Sequence, residues 1–268
     1  MTQAPWLSAT LWAGFPPSLC SHTSRCAALR HGVTTLTEPF SRTPWRAHGS
    51  GLAIPCIVPA KNAHVPPEFT VVSPAGHTLG MLVYLEYRMP SEAVHRELLW
   101  LSAVVRCTDR AYRVPDRVGP MYYVGRVYGD TPLSLSAGSR EWAAHKALAR
   151  FHRHGNRIEV DAEDGTHVAF SWKPRGFTFS APTRISTLQR GLGRVVSFRA
   201  QGRAQVQLAT YRLEAFESEH AEWEGFKRRL LLPGVASHLK AFESVMHGPT
   251  EVPRRLDSLA PSPTPSLV

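Results

Sequence analysis

Apolar residues in the central part of the chain come in short, dense runs separated by turn signals. Residues 81–88 (MLVYLEYR) and 98–106 (LLWLSAVVR) are rich in aromatic, branched and apolar side chains, with Pro90 between them. Residues 121–128 (MYYVGRVY) have the same character. Shorter runs at 157–160, 166–172 and 176–180 are separated by Asp164-Gly165 and by Lys173-Pro174-Arg175-Gly176. Apolar runs bounded by Gly and Pro predict strands, and Asp-Gly between two of them predicts a hairpin. Farther on, 194–200 and 204–216 are joined by Gln201-Gly202. Val206, Leu208 and Thr210 alternate there with Gln205, Gln207 and Ala209, so one face is the more apolar. The fold class expected is α+β, mainly β: an antiparallel, strand-rich cone or barrel with a few helices.

Two segments break the strand pattern. Residues 139–151 (SREWAAHKALARF) carry helix formers throughout, with Ser139 as a candidate N-cap, and predict a helix. Residues 221–232 are charged and amphipathic and predict a second, packing helix. The ends differ from the middle. Residues 1–37 hold no acidic side chain, and Pro16-Pro17 close a short apolar stretch that no basic segment precedes, a poor match to a secretory signal. Pro261, Pro263 and Pro265 alternate with Ser and Thr near the other end. The organisation expected is an extension over 1–40, one folded domain over 41–248 and a disordered tail over 249–268.

Composition narrows the function classes. Of 268 residues 43% are hydrophobic and 19% charged, which is globular composition. No apolar run approaches the ~20 residues of a membrane span, so no membrane partner is expected. The formal charge of +10 invites a polyanion partner, but the cations are mostly scattered arginines with no dense basic block. No nucleic-acid partner is expected, and the excess charge reads as a solubilising surface. Cys20, Cys26, Cys56 and Cys107 include no C-x-x-C pair and are too few for a disulfide scaffold in a chain this long. Free thiols in a reducing, cytoplasmic compartment are the expectation.

Lysine is scarce, with only Lys61, Lys146, Lys173, Lys227 and Lys240, and Lys146 stands out among them. It lies between Ala144-His145 and Ala147-Leu148-Ala149, so its ammonium sits among small and apolar residues. Burial disfavours the charged form, and a neutral amine attacks a ketone to form a Schiff base. The competing reading is an exposed lysine with a solvated head. Glu97, at the start of an apolar strand, can reach into a barrel mouth and move protons, or pair on the surface with Arg96 or Arg106. His152-x-His154, with His145 and His167 nearby, lacks the cysteine or carboxylate set that completes a metal site, so no metal is expected. No P-loop, G-x-G-x-x-G or G-x-S-x-G occurs, and no cofactor is expected.

Glu97 ahead of its apolar strand, Gly119-Pro120-Met121-Tyr122-Tyr123, and the segment S-R-E-W-A-A-H-K-A-L-A within 139–149 together resemble the acetoacetate decarboxylase family. The resemblance runs roughly from Pro44 to Phe216. It implies a cone-shaped, strand-rich barrel with an interior active site, carbon–carbon lyase (decarboxylase-like) activity, and a small keto acid as substrate. Lys146 would be the Schiff-base lysine and Glu97 the pocket glutamate. Arg140 and Glu141 match the family's tripeptide, with Ser139 in place of its glycine. His145 stands where proline is usual, and Ala147 where a second, activating lysine is found. Leu82 aligns with the family's other pocket carboxylate and Ser50 or a neighbour with its pocket arginine, leaving Arg46 as the nearest replacement. Arg140, Glu141, His145 and Arg46 are thus the expected substrate-binding set. Family members often assemble into larger oligomers, so a homo-oligomer is the implied assembly. The missing pocket charges support the alternative of a non-catalytic barrel that binds a small apolar ligand.

Overall fold

A computed structural model describes residues 43–108, 112, 121–191, 193–231 and 235–252. The expected extension over 1–40 and all but the start of the expected tail lie outside these residues. In chain order the elements are β1 (Trp45–Pro59), β2 (Phe69–Val71), β3 (His77–Arg88), β4 (Arg96–Cys107), β5 (Met121–Gly129), α1 (Pro132–Trp142), β6 (Lys146–His154), β7 (Arg157–Ala162), β8 (His167–Gly191), β9 (Arg194–Glu217), α2 (Glu224–Lys227), β10 (Leu230–Leu231), β11 (Ala236–Met246) and β12 (Thr250–Glu251). Among the described residues no helix is long and apolar enough to cross a membrane. Strand β12 pairs with β9 and Val252 is buried, so ordered chain extends past residue 248.

The strands form one sheet whose pairings run in a ring: β1–β11–β9–β8–β7–β6–β5–β4–β3 and back to β1. Most pairs are antiparallel, as expected, but β5 runs parallel to β6 and touches β8 in parallel, so the sheet is mixed. The parallel pair follows from α1, which carries the chain from the end of β5 back to the start of β6.

The wall β1–β3–β4–β5 is buried on both faces, which is why its strands read as near-continuous apolar runs. Leu82 and Tyr84 of β3, with Leu98 and Trp100 of β4, face a large core that also takes Phe151, Val160 and Phe170. Val83 and Leu101 face the opposite way, toward Val124 and Val127 of β5. Alternation along each strand sends successive side chains to the two sides. The long ribbon of β8 and β9 reaches both: its register slips at Ala169/Phe170 and again between Pro174 and Thr178. The turn signal at 173–176 therefore marks a bend within β8, and Gln201-Gly202 lies inside β9. Gly202 is required there because a Cβ would meet the Glu243 carbonyl oxygen of β11 at 1.9 Å.

The hairpin at Asp164-Gly165 forms as predicted, with Gly165 at φ +83° and the Thr166 N–H donating to Asp164 Oδ1 at 3.0 Å. The two expected helices do not. Around 221–232 there is one short turn and the four-residue α2, which bury Trp223 and Phe226 against Trp100 at ring distances of 5.7 and 5.1 Å. The helix expected at 139–151 lies earlier. Thr131 accepts the Ser134 N–H at 3.2 Å and Pro132 opens the first turn, so α1 starts at 132. It stops at Trp142 because Ala143 adopts the left-handed region (φ +53°). Residues 146–154 then alternate as a strand, with Ala149 and Phe151 buried and Arg150 and His152 exposed.

Candidate active site

On the second face of the wall lies a cavity of about 430 Å³. Strands β3, β4 and β5 supply one side through Val83, Leu99, Val124 and Val127, and the far stretch of β8 with β9 and β11 supplies the other through Ile185, Phe198 and Phe242. Its interior is almost entirely apolar. Gln189 is buried there, but its amide spans Val124 of β5, donating to the carbonyl at 3.3 Å and accepting from the N–H at 2.8 Å.

Lys146 and Glu97 form the polar end of this cavity. Glu97 faces it because β4 pairs with β3 at Leu85↔Glu97, on the side that carries Leu85 and Tyr87. Lys146 faces it because the parallel β5–β6 register sets Lys146 beside Val127. Room for the lysine stem comes from Gly129, where a Cβ would sit 3.0 Å from both Lys146 Cε and Ser134 Oγ. The lysine is thus on a strand, not on a helix, and its side chain is only 3% exposed.

The Lys146 ammonium donates to Glu97 Oε1. The same oxygen accepts from Ser134 Oγ at 3.1 Å and faces His95 Nε2 at 3.1 Å, while Tyr87 donates its hydroxyl to Oε2 at 3.3 Å. The His95 ring stacks on Tyr87 at 4.4 Å, and its Nδ1 lies 3.3 Å from the Ala93 carbonyl oxygen. Burial pushes the Glu97 carboxyl upward, but the Lys146 charge and the His95 and Lys146 hydrogen bonds outweigh it and hold the carboxyl well below the usual range. Burial, with the Glu97 charge next to it, raises the Tyr87 phenol well above its ordinary value, so Tyr87 is a neutral donor here.

The other expected site residues are distributed unevenly. Arg46 is exposed and does not line the main cavity; it borders a second cavity of about 30 Å³ that shares Tyr87, Glu97, Trp142 and Lys146. His145 is exposed, and its carbonyl accepts from the Val127 N–H at 2.9 Å. Arg140 and Glu141 fall on α1, with side chains outside the described residues. Leu82 and Ser50 lie on the opposite face of the wall, since Ile54↔Leu82, Leu52↔Tyr84 and Ser50↔Glu86 share that side. Tyr87, His95 and Ser134 are the contacts that sequence reasoning missed. The spacing His95-x-Glu97 was the available signal, because residues two apart in a strand share a face.

No protein-family model and no curated protein matches the sequence. Solved structures do match in shape. The enduracididine biosynthesis enzyme MppR complexed with pyruvate superposes with a TM-score of 0.55 at 12% identity, covering 82% of this chain and 94% of its own. A structure of acetoacetate decarboxylase gives 0.52 at 12% identity, covering 85% and 97%. The acetoacetate decarboxylase from Legionella pneumophila subsp. pneumophila str. Philadelphia 1 gives 0.51 at 11% identity, covering 82% and 94%. The chain has the acetoacetate decarboxylase-like fold. That is the fold the sequence resemblance implied, and at these identities the likeness extends to the fold alone.

Proposed function

We propose that this acetoacetate decarboxylase-like protein is a Schiff-base lyase that removes CO2 from a keto acid through Lys146. The observation that carries the reading is the buried Lys146–Glu97 pair at the end of a largely apolar cavity. A keto acid fits the fold comparison too, since one neighbour, MppR, is complexed with pyruvate in one structure and with the condensation product of pyruvate and imidazole 4-carboxaldehyde in another.

The chemistry follows from the contacts. Glu97 accepts one proton from the Lys146 ammonium along their hydrogen bond, an uphill transfer because the same pairing holds its carboxyl low, and the neutral amine so formed is consumed by attack on substrate. The amine nitrogen bonds to the carbonyl carbon as the C=O π bond opens, and the resulting hydroxyl leaves as water with the proton returned by Glu97. In the iminium so formed, the bond between the carboxylate carbon and the carbon beside the iminium breaks, its electron pair moves toward nitrogen to leave an enamine, and CO2 departs. The enamine carbon then takes up a proton and water hydrolyses the iminium, releasing a ketone and regenerating the amine. No cation lines the cavity beside Lys146 except Arg184 at its rim, among the described residues. A substrate carboxylate is therefore held in apolar surroundings, which favours the loss of its charge as neutral CO2.

Borohydride reduction in the presence of a keto acid, followed by peptide mass spectrometry, tests this directly. A reduced adduct on Lys146 that disappears in Lys146→Arg is expected. Adducts on other lysines alone refute the residue assignment. Ligand binding indifferent to Lys146→Ala, with no adduct, supports the alternative of a non-catalytic barrel for a small apolar ligand.

A further inference from the structure

The dimensions and walls of the cavity specify the body of the substrate as well as its reacting group. A volume of about 430 Å³ equals the liquid volume of about fourteen waters and falls in the size range of pockets for drug-sized ligands. A keto acid of acetoacetate size would occupy a small part of it. The remainder would hold water against Val83, Leu99, Val124, Ile185 and Phe242, which offer no hydrogen bonds, and water needs two to four polar partners to be stable in a cavity. Of the two buried uncharged polar side chains in that part, Gln189 spends its amide on the backbone of β5 and Thr187 offers a single hydroxyl. The buried indole N–H of Trp142 has no hydrogen-bond partner among the described residues. Trp142 is wedged between Trp45 at 4.8 Å and Phe198 at 5.3 Å and lines both cavities that meet at Lys146.

Resting on the Schiff-base reading, we infer that the substrate is a 3-oxo acid with a bulky apolar body, aryl or branched alkyl, and that the product is the corresponding apolar methyl ketone. The carbonyl lies at Lys146, and the body fills the space between β4–β5 and β8–β11. The carboxylate is lost as CO2 and the carbon that bore it takes a proton, so a group R–CO–CH2–COO⁻ plus one proton becomes R–CO–CH3 plus CO2.

The product ketone is a stable probe. The full-length protein is reduced with borohydride in the presence of 4-phenyl-2-butanone or acetone, and the Lys146 adduct is quantified for each. Half-maximal trapping with the aryl ketone is expected at a concentration lower by about tenfold or more, since burial of its phenyl-bearing chain adds several methylene equivalents of transfer free energy. Ala53→Phe and Ala200→Phe each place a ring inside the cavity from opposite walls, and both are expected to abolish that preference while leaving acetone trapping intact. Two variants are used so that a folding defect in one leaves the other informative. Acetone trapping as readily as the aryl ketone, or a preference that survives both substitutions, overturns the inference while leaving the Schiff-base reading in place. Thermal shifts with 4-phenyl-2-butanol, which has the same body and no carbonyl, separate the two. A shift in the wild type that is lost in the filled variants, with no adduct from either ketone, refutes the Schiff base and upholds the apolar body. No shift and no adduct refutes both.

Discussion

Replacing Lys146 by methionine keeps an apolar stem of similar length and removes the cation that Glu97 faces. In the wild type the Glu97 carboxyl is held below its usual range, so its contribution to stability is fully present above the unfolded-state value of about 4.3 and is lost only as pH falls through the lower folded value. In Lys146→Met that balance reverses. Glu97 is buried, and without the ammonium it loses the largest of the effects that offset the upward push of burial on its carboxyl. The folded variant then keeps on Glu97 one proton that the unfolded chain has given up. Tyr87 and Ser134, also on the carboxylate, are neutral donors and supply no charge.

The magnitude follows from that single proton. A folded state holding one extra proton loses stability by about 1.4 kcal/mol for each unit of rising pH. Breaking a buried pair by removing one partner costs about 3–5 kcal/mol, and the deficit should approach that figure at the alkaline end. Urea unfolding of both proteins at several values between about pH 6 and pH 8 measures it. The expected result is a gap between the two stability curves that widens with pH, and that closes to a constant offset when Glu97→Gln is added to Lys146→Met. Parallel curves for the wild type and Lys146→Met would refute the claim that Lys146 is the counter-charge of a buried Glu97 carboxylate.

Three further substitutions separate the site from its frame. Gly129→Ala pushes a methyl against Lys146 Cε and Ser134 Oγ at 3.0 Å and should lower borohydride trapping at Lys146, at a stability loss of about 1–3 kcal/mol in chemical denaturation. Trp223→Ala empties a fully buried ring site on the other face of the wall; it should lower stability by about 3–5 kcal/mol while the fraction that remains folded still traps ketone at Lys146. Gly202→Ala drives a Cβ into the Glu243 carbonyl and should loosen the β9–β11 pairing, read as faster amide exchange along 200–209.

The strands were the most legible feature of the chain, and the reason is the two-sided wall. Because β3 and β4 bury both faces, their runs carry little polar interruption, and Glu97 stands out as a charge inside one of them. Lys146 was legible for the same reason, as a lone cation among small apolar residues. Its element was not. Residues 139–151 hold enough helix formers to mask the strand alternation that begins at 146, and the boundary is made by the φ of Ala143, an alanine in a conformation that composition does not advertise. The partners of Glu97 were hidden by distance along the chain: Tyr87 and Ser134 lie 10 and 37 residues away and meet it only when β3, β4 and α1 converge.

The same wall explains why aligning pocket residues by sequence alone misplaces them. A strand sends neighbouring residues to opposite sides, so an offset of one position exchanges core for cavity. Leu82 and Ser50 align with pocket charges yet face the core, while Met81 and Val83, on either side of Leu82, face the cavity, and Gly49 and Gly51 flank Ser50. None of these four neighbours carries a charge. A shift of register therefore does not restore the missing charges at these positions, and the apolar interior belongs to the site itself. Lys146 and Glu97 escape this ambiguity because their own contact fixes their side: β4 and β6 are not paired to each other, and the two side chains reach across the edge of β5 at Gly129 to meet.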